Sequence, residues 1–350
     1  MTSPYRFYGA NGYTGELIAR EAARRGQRPV LAGRNAEAVR ALATELGLEH
    51  RAFSLDDPRA VDEALKGMAA VLHCAGPFVR TFQPMAEACL RARVHYLDVT
   101  GEIDVFERLA ARDEEARSAG VMLLPGAGFD VVPTDCLAAH LKRRLPSATH
   151  LVLAFHSVGG LSRGTATTMV ENIHRGGLVR RNGVLTPVPA AWKTREVDFG
   201  RGPRTVVSIP WGDVSTAYYS TGIPDVEVYI TATGPLLLAM KASRLLRPLL
   251  ASSLVQSFLK KRVRSGAAGP GAEQRARGRT TVWGEVTDPA GRRAAARLHG
   301  PEGFTFTVRT ALAAVEKVLG GSAPPGFQTP AKAYGPDFVL GVEGVTREDL

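Results

Sequence analysis

The sequence predicts an α/β chain: a doubly wound parallel sheet, then a second α+β domain built on a mixed or antiparallel sheet. Three observations predict it. Over the first third of the chain, short apolar runs alternate with helix-length runs, strand and helix in turn. A glycine-rich turn joins the first apolar run to the first helical one. After Pro133 the alternation stops, and longer, more mixed strand-like runs replace it.

The elements follow in order. Tyr5 to Tyr8 is a short strand, Gly9 to Gly15 a tight turn, and Thr14 to Arg25 a helix with Leu17, Ile18 and Ala22 inward and Gly26 as its stop. Pro29 to Ala32 is the second strand. Asn35 to Leu46 is the second helix, closed by Gly47 as a C-cap. His50 to Phe53, Ala70 to Cys74, Tyr96 to Val99 and Val121 to Leu124 read as further strands. Between them lie helices over Pro58 to Leu65, Phe82 to Arg91 and Ile103 to Ser118, the last with Phe106, Leu109 and Ala110 as its apolar stripe. Asp135 to Leu145 completes this domain.

The second half reads differently. Leu151 to Ser157, Thr205 to Ile209, Val226 to Thr231, Thr280 to Val286 and Thr305 to Arg309 are strand-like, and Thr310 to Leu319 is helical. Arg262 to Arg279 reads as a mobile loop. The expected division is residues 1–145, 146–325, and a Pro/Gly-containing segment 326–350 returning to the first domain.

Composition narrows the function classes. The 350 residues are 45% hydrophobic and 22% charged, which fits a packed core and excludes a disordered chain. Cys74, Cys89 and Cys136 make neither a disulfide framework nor a metal motif, so a reducing, cytoplasmic setting is expected. No metal is expected: His140, His150, His156 and His174 lack ligand spacing. Met1 to Pro4 lead straight into a strand, with no signal-peptide pattern. The net charge of +10 suits an anionic ligand. Nucleic acid is not expected, because no aromatic side chains interleave with the arginines of 262–279. The apolar stretch 235–260 is interrupted by Lys241, Arg244, Arg247 and Pro248, so it reads as a surface helix pair with peripheral membrane contact rather than a span. Base rates favour a homodimer.

The turn Gly9-Ala10-Asn11-Gly12-Tyr13-Thr14-Gly15 follows a strand and opens a helix. Gly9 permits the tight turn, Gly12 lets backbone approach a diphosphate, and Gly15 lets the helix lie close to the sheet. Free amides at the helix start then face the phosphates. The spacing is GxxGxxG rather than GxGxxG. In a run of βα units it points to a Rossmann-type dinucleotide site. The end of the second strand, Leu31-Ala32-Gly33-Arg34-Asn35, lacks the acid that would accept ribose hydroxyls. Arg34 can hold a 2′-phosphate through two bonds, so NADP(H) is expected over NAD(H). After the fourth strand, the small residues Cys74, Ala75 and Gly76 leave room for a flat ring, with Pro77 and Phe78 as a wall. Cys74 has no base assigned to it and reads as a small packed thiol, and His73 reads as a packing histidine.

Asp98 stands at a strand end on the ligand side and is a candidate for an active-site role. Tyr96 is placed to donate a proton or to pack, and Glu102 suits a helix start. Asp130 either orients the nicotinamide side or caps the helix near Pro133, which Thr134 also suits. Thr165, in a glycine-flanked loop, either touches substrate or satisfies its own backbone.

Taken together, the glycine turn, His73-Cys74-Ala75-Gly76-Pro77-Phe78, the block from Tyr96 to Glu102, the block from Gly126 to Asp135, Gly164-Thr165 and Thr329-Pro330-Ala331 resemble the saccharopine dehydrogenase-like NADP-binding family, including bacterial trans-acting enoyl reductases. The resemblance spans nearly the whole chain. It implies a Rossmann domain plus an α+β domain, NADP(H), and an oxidoreductase role. The apolar 235–259 segment fits an enoyl or other acyl substrate. A saccharopine-like imine substrate and a non-catalytic NADP-binding protein are the alternatives.

Overall fold

The computed structural model describes residues 4–160 and 162–350. The chain packs as two compact units. One comprises residues up to Val132 together with Phe304–Tyr334; the other comprises Pro133–Gly303 together with Gly335–Leu350.

The first unit is a parallel seven-stranded sheet. Its strands in chain order are β1 (Tyr5–Tyr8), β2 (Val30–Gly33), β3 (His50–Ala52), β4 (Ala70–His73), β5 (His95–Asp98) and β6 (Met122–Leu124), with Gly326–Phe327 added beside β6. Spatially they run β6, β5, β4, β1, β2, β3, so the order reverses between β1 and β4. In register, Phe7 stands beside both Leu31 and Leu72. All three are fully buried, as continuous apolar strands of a sheet covered on both faces should be. Helices α1 (Tyr13–Arg24), α2 (Ala36–Leu46), α3 (Pro58–Leu65), α4 (Phe78–Ala92), α5 (Ile103–Ala110) and α6 (Asp113–Ala119) are the crossovers. Local chemistry sets their ends. Asn35 accepts Ala38 N at 3.1 Å at the start of α2, and Gly47 closes that helix at φ 63°. Such a cap contributes about 1 kcal/mol. Where one helix is expected over Ile103 to Ser118, the chain breaks after Ala110 into α5 and α6.

The second unit begins with α7 (Val132–Arg144), whose Leu137 and Leu141 lie on the sheet at Gly284. A Cβ there would stand 2.7 Å from Leu141 Cδ1. Its strands are β7 (His150–Val158), β8 (Gly177–Arg181), β9 (Val184–Val188), β10 (Thr194–Asp198), β11 (Pro203–Ser208), β12 (Asp225–Thr231), β13 (Arg279–Thr287) and β14 (Arg293–Pro301), with Thr346–Asp349 at the edge. They form one nine-stranded sheet. β12 and β7 are parallel and the other pairs antiparallel, so the sheet is mixed. Ala154, Val197, Phe199, Val206, Tyr229 and Trp283 make a core on one of its faces. Its helices are α8 (Arg163–Asn172), α9 (Asp213–Thr221), α10 (Gly234–Ala242), α11 (Arg247–Ala251), α12 (Ser253–Arg264) and α13 (Ala272–Arg277). Among the described residues, no helix is long and apolar enough to cross a membrane.

Several expectations need correction. Thr305 to Arg309 is not a strand: it lies inside the helix Gly303–Leu319, where Phe306, Thr310 and Ala311 are fully buried. The stretch 262–279 is no continuous loop, since it contains the end of α12 and all of α13. Thr165 stands in the first turn of α8, not in a loop. The unit limits also differ from 145/146 and 325/326. α7 packs on Gly284, while Thr307 bonds Phe129 of the first unit at 3.0 Å. The tail divides: Gly326–Phe327 joins the first sheet, and Thr346–Asp349 pairs with β14 of the second.

Candidate functional site: the turn at the strand reversal

In an open parallel sheet, ligands sit beyond the C-terminal strand ends, where strand order reverses. Here that point lies between β1 and β4, and the turns after them touch. Gly9 adopts φ 84°, and a Cβ on it would lie 2.6 Å from Ala75 N and 2.7 Å from the Cys74 carbonyl carbon. Gly9 N and Ala10 N both donate to Ala32 O, at 2.8 and 3.2 Å, which ties the turn to β2. Gly15 is equally constrained, because its Cβ would overlap Gly9 O at 2.1 Å. Gly12 differs: its Cβ would meet only Gly9 O, at 3.4 Å, so its outer side is open.

Gly12 is also the N-cap of α1, and no side chain caps that helix. The first-turn amides of any helix lack intrahelical acceptors. An open, uncapped helix start over a side-chain-free turn fits a diphosphate. At the end of β2, a Cβ on Gly33 would lie 2.8 Å from Asn11 Oδ1 and 3.0 Å from Val39 Cγ2. The place where an acid would accept ribose hydroxyls is therefore filled by Asn11. Arg34 follows, exposed, one residue before Asn35, the N-cap of α2. These residues fit NADP(H), whose 2′-phosphate a guanidinium holds and an acid repels.

The turn after β4 is built from its own side chains. Thr81 Oγ1 lies 2.6 Å from Ala75 O, to which it donates. A hydroxyl has one proton, so His73 Nε2, 3.0 Å from the same oxygen, donates to Thr81. His73 is fully buried, its Nδ1 has no partner, and burial lowers its pKa to about 3. It stays neutral and packs against Tyr8, Phe78 and Tyr96. Burial and the Asp98 charge push the Cys74 thiol well up, which keeps it protonated and unreactive. The Gly76–Pro77 peptide is cis.

Asp98, at the end of β5, is fully buried with three donors around it. Tyr96 OH donates to Oδ2 at 2.7 Å, and Thr100 N and Gly126 N each donate to Oδ1 at 2.9 Å. Burial raises its pKa to about 6 against the pull of those hydrogen bonds. Tyr96 is fully buried as well, and burial with the Asp98 charge drives its pKa up. The pair joins the loop after β5 to the loop after β6.

That bracing places two further carboxyls at the same edge of the sheet. Glu102 Oε1 accepts Phe78 N at 2.9 Å and Oε2 accepts Val79 N at 2.8 Å, so it closes the start of α4. Asp130 lies against Gly101, where a Cβ would come within 2.8 Å of its Oδ2. Asp130 is half-buried, and burial first, then the Glu102 charge, raises its pKa to about 6. Its carboxyl neither caps α7 nor sits among donors as Asp98 does. Thr165 belongs to the second unit, where its N–H donates to Ser162 Oγ at 3.2 Å in the capping turn of α8. Among the described residues, no group of three or more His, Cys, Asp or Glu is arranged to hold a metal.

Three contributors to this edge were not legible in sequence. They are Thr81, the α4-capping role of Glu102, and the helix Gly303–Leu319, whose Phe304 packs edge-on to Tyr13 at 5.0 Å. The partners of Glu102 and Phe304 are distant in the chain, while those of Thr81 lie within eight residues of it across a turn. The one local signal was the isolated hydroxyl of Thr81, a turn of helix beyond Pro77.

A parallel sheet reversing at a glycine turn, with an acid-free β2 end, defines an NADP(H)-binding Rossmann unit. Residues 7–124 match the saccharopine dehydrogenase NADP binding domain. A trans-acting enoyl reductase of Mycobacterium ulcerans is 30% identical over 185 residues, 47% of this chain and 43% of that one. Its counterpart in Mycobacterium tuberculosis (strain ATCC 25618 / H37Rv) is 32% identical over 189 residues, with the same shares. The match thus spans less than half the length of these relatives. Saccharopine dehydrogenase (L-Glu forming) of Saccharomyces cerevisiae has the same fold, with TM-score 0.67 and 12% identity over 99% of this chain and 100% of that one. Residues 7–124 thus carry a saccharopine dehydrogenase-type NADP binding domain, and the chain is similar in sequence to bacterial trans-acting enoyl reductases over about half its length.

Proposed function

We propose that the protein is an NADPH-dependent reductase of an enoyl or other lipid-like acyl substrate. The observation that carries this reading is the open face of the turn at Gly12, on the same sheet edge as Asp130, whose pKa is raised to about 6. When bound, NADPH supplies a hydride. The amides that open α1 would hold its diphosphate, Arg34 would hold its 2′-phosphate, and Ala75 and Gly76 would leave room for its nicotinamide.

Reducing a carbon–carbon double bond beside a thioester also requires a proton at the α-carbon. Asp130 is the group suited to hold it, since a carboxyl near its own pKa both keeps and releases a proton readily. Asp98 and Tyr96 act as positioning residues, because their polar atoms are turned to one another and to backbone amides. An acyl substrate accords with the enoyl reductase names of the curated relatives and with the apolar helices of the second unit.

The test is NADPH oxidation by the purified chain against α,β-unsaturated thioesters, in parallel with cyclic and acyclic imines. Turnover of the thioesters is expected. Turnover of imines alone would move the substrate to the amino-acid class. Tight NADPH binding without any turnover would make this a cofactor-binding protein and not an enzyme.

A further inference from the structure

The second unit carries an apolar helical face turned to water. Leu238, Leu245, Leu254 and Phe258 are 70, 87, 83 and 66% exposed. Leu254 and Phe258, four apart on α12, share one side of that helix, and Met169 of α8 and Ile173 at its C-cap are exposed as well. Two polar side chains of α12 point the other way: Gln256 and Lys260 are half-buried, while Lys261 and Arg262 are exposed. Gln256 Nε2 donates to Val170 O at 2.9 Å and to Leu250 O at 2.8 Å, and Lys260 Nζ lies 2.8 Å from Glu171 Oε1. Arg244 likewise fastens its turn through Ala190 O at 2.6 Å and Ala191 O at 2.7 Å. The helices are thus fastened through inward polar contacts while leucines and a phenylalanine stand outward, where a water-facing helix would carry polar residues alone.

Charge identifies what covers this face. Every charged side chain between Glu227 and Glu273 is Lys or Arg. Lys241, Arg247, Lys261 and Arg262 are exposed. Protruding apolar side chains with exposed cations among them match an anionic bilayer, whose acyl region takes the leucines and whose headgroups take the cations. A bilayer also imposes no shape requirement on such protruding side chains.

We propose that α8 and α10 to α12 form a docking surface for an anionic lipid membrane. The contact is peripheral, since none of these helices is long enough to span. It does not depend on which substrate the cofactor site reduces.

The experiment is co-sedimentation of the full chain with phosphatidylcholine vesicles, with and without phosphatidylglycerol. Binding to the phosphatidylglycerol vesicles alone, weakened by added salt, is expected. The triple variant Leu245→Asp, Leu254→Asp, Phe258→Asp should bind roughly tenfold or more weakly, given the apolar area each side chain would bury. All three positions are exposed, so the variant should fold, and unchanged NADPH binding checks that it has. No sedimentation of the folded wild type with anionic vesicles overturns the proposal. So does equal binding by the folded triple variant. Dimerisation abolished by the same variant, without vesicle binding, overturns it in favour of a second copy of this chain.

Discussion

Glu102 closes a helix that begins 24 residues before it: its two carboxylate oxygens accept the Phe78 and Val79 amides at 2.9 and 2.8 Å. The loop after β5 is thereby tied to the start of α4, directly behind the turn that follows β4.

Removing that tie leaves two amides of α4 without their acceptor. Glu102→Ala is expected to cost about 1–3 kcal/mol, and Glu102→Gln, which keeps one oxygen, somewhat less. Urea unfolding of the two variants beside the wild type measures this. Equal midpoints for all three would show that the bond does not contribute to stability.

The glycines of the first turn should separate folding from binding. Gly15→Ala puts a methyl 2.1 Å from Gly9 O, so this variant should lose stability and NADPH binding together. Gly12→Ala meets only an atom at 3.4 Å. It should keep its Tm while binding NADPH roughly tenfold or more weakly, because the methyl occupies diphosphate space. Calorimetry and fluorescence titration of both variants decide the matter, and intact binding by Gly12→Ala would place the diphosphate elsewhere.

Arg34→Ala should weaken NADP(H) roughly tenfold or more, the worth of a charge-assisted contact to phosphate. Its NAD(H) affinity should stay the same, since that nucleotide has no 2′-phosphate. An equal loss for both nucleotides would assign Arg34 to something other than cofactor choice.

Asp130 has a pKa raised from 3.8 to about 6, so the folded chain holds this proton more tightly than the unfolded one. The stability it contributes is full below about pH 4 and is lost as pH rises through about 6. The difference in unfolding free energy between wild type and Asp130→Asn should therefore fall over that interval, by about 1–2 kcal/mol for a half-buried group. If Asp130 supplies the proton of the reaction, wild-type kcat should fall above pH 6, and the variant should be slow and flat across the range. Denaturant melts at stepped pH and a pH–rate profile provide the two readings.

How much of this was legible in advance follows the range of the forces. The β1–turn–α1 unit is local: apolar period, glycine spacing and missing acid all lie within residues 5–34. The helix Gly303–Leu319 was not legible at its start, because Phe304-Thr305-Phe306-Thr307-Val308 alternates as a strand would. Being buried on most sides, that helix shows no polar face to betray its period. Asp98 and Tyr96 were found by position, but one of the amides that hold Asp98, that of Gly126, comes from 28 residues away. For Thr165, the Ser162 cap three residues earlier was a helix signal that its glycine neighbour obscured.

The crowding at the end of β2 also bears on how cofactor choice could change through evolution. Any side chain at position 33 competes with the Asn11 amide for the same space. Introducing an acid there, as Gly33→Asp, would disturb the first turn before it could serve a ribose. A lineage moving towards NAD(H) would have to change positions 11 and 33 in concert, so the present preference is protected by epistasis between the first turn and the second strand as well as by the guanidinium beside them.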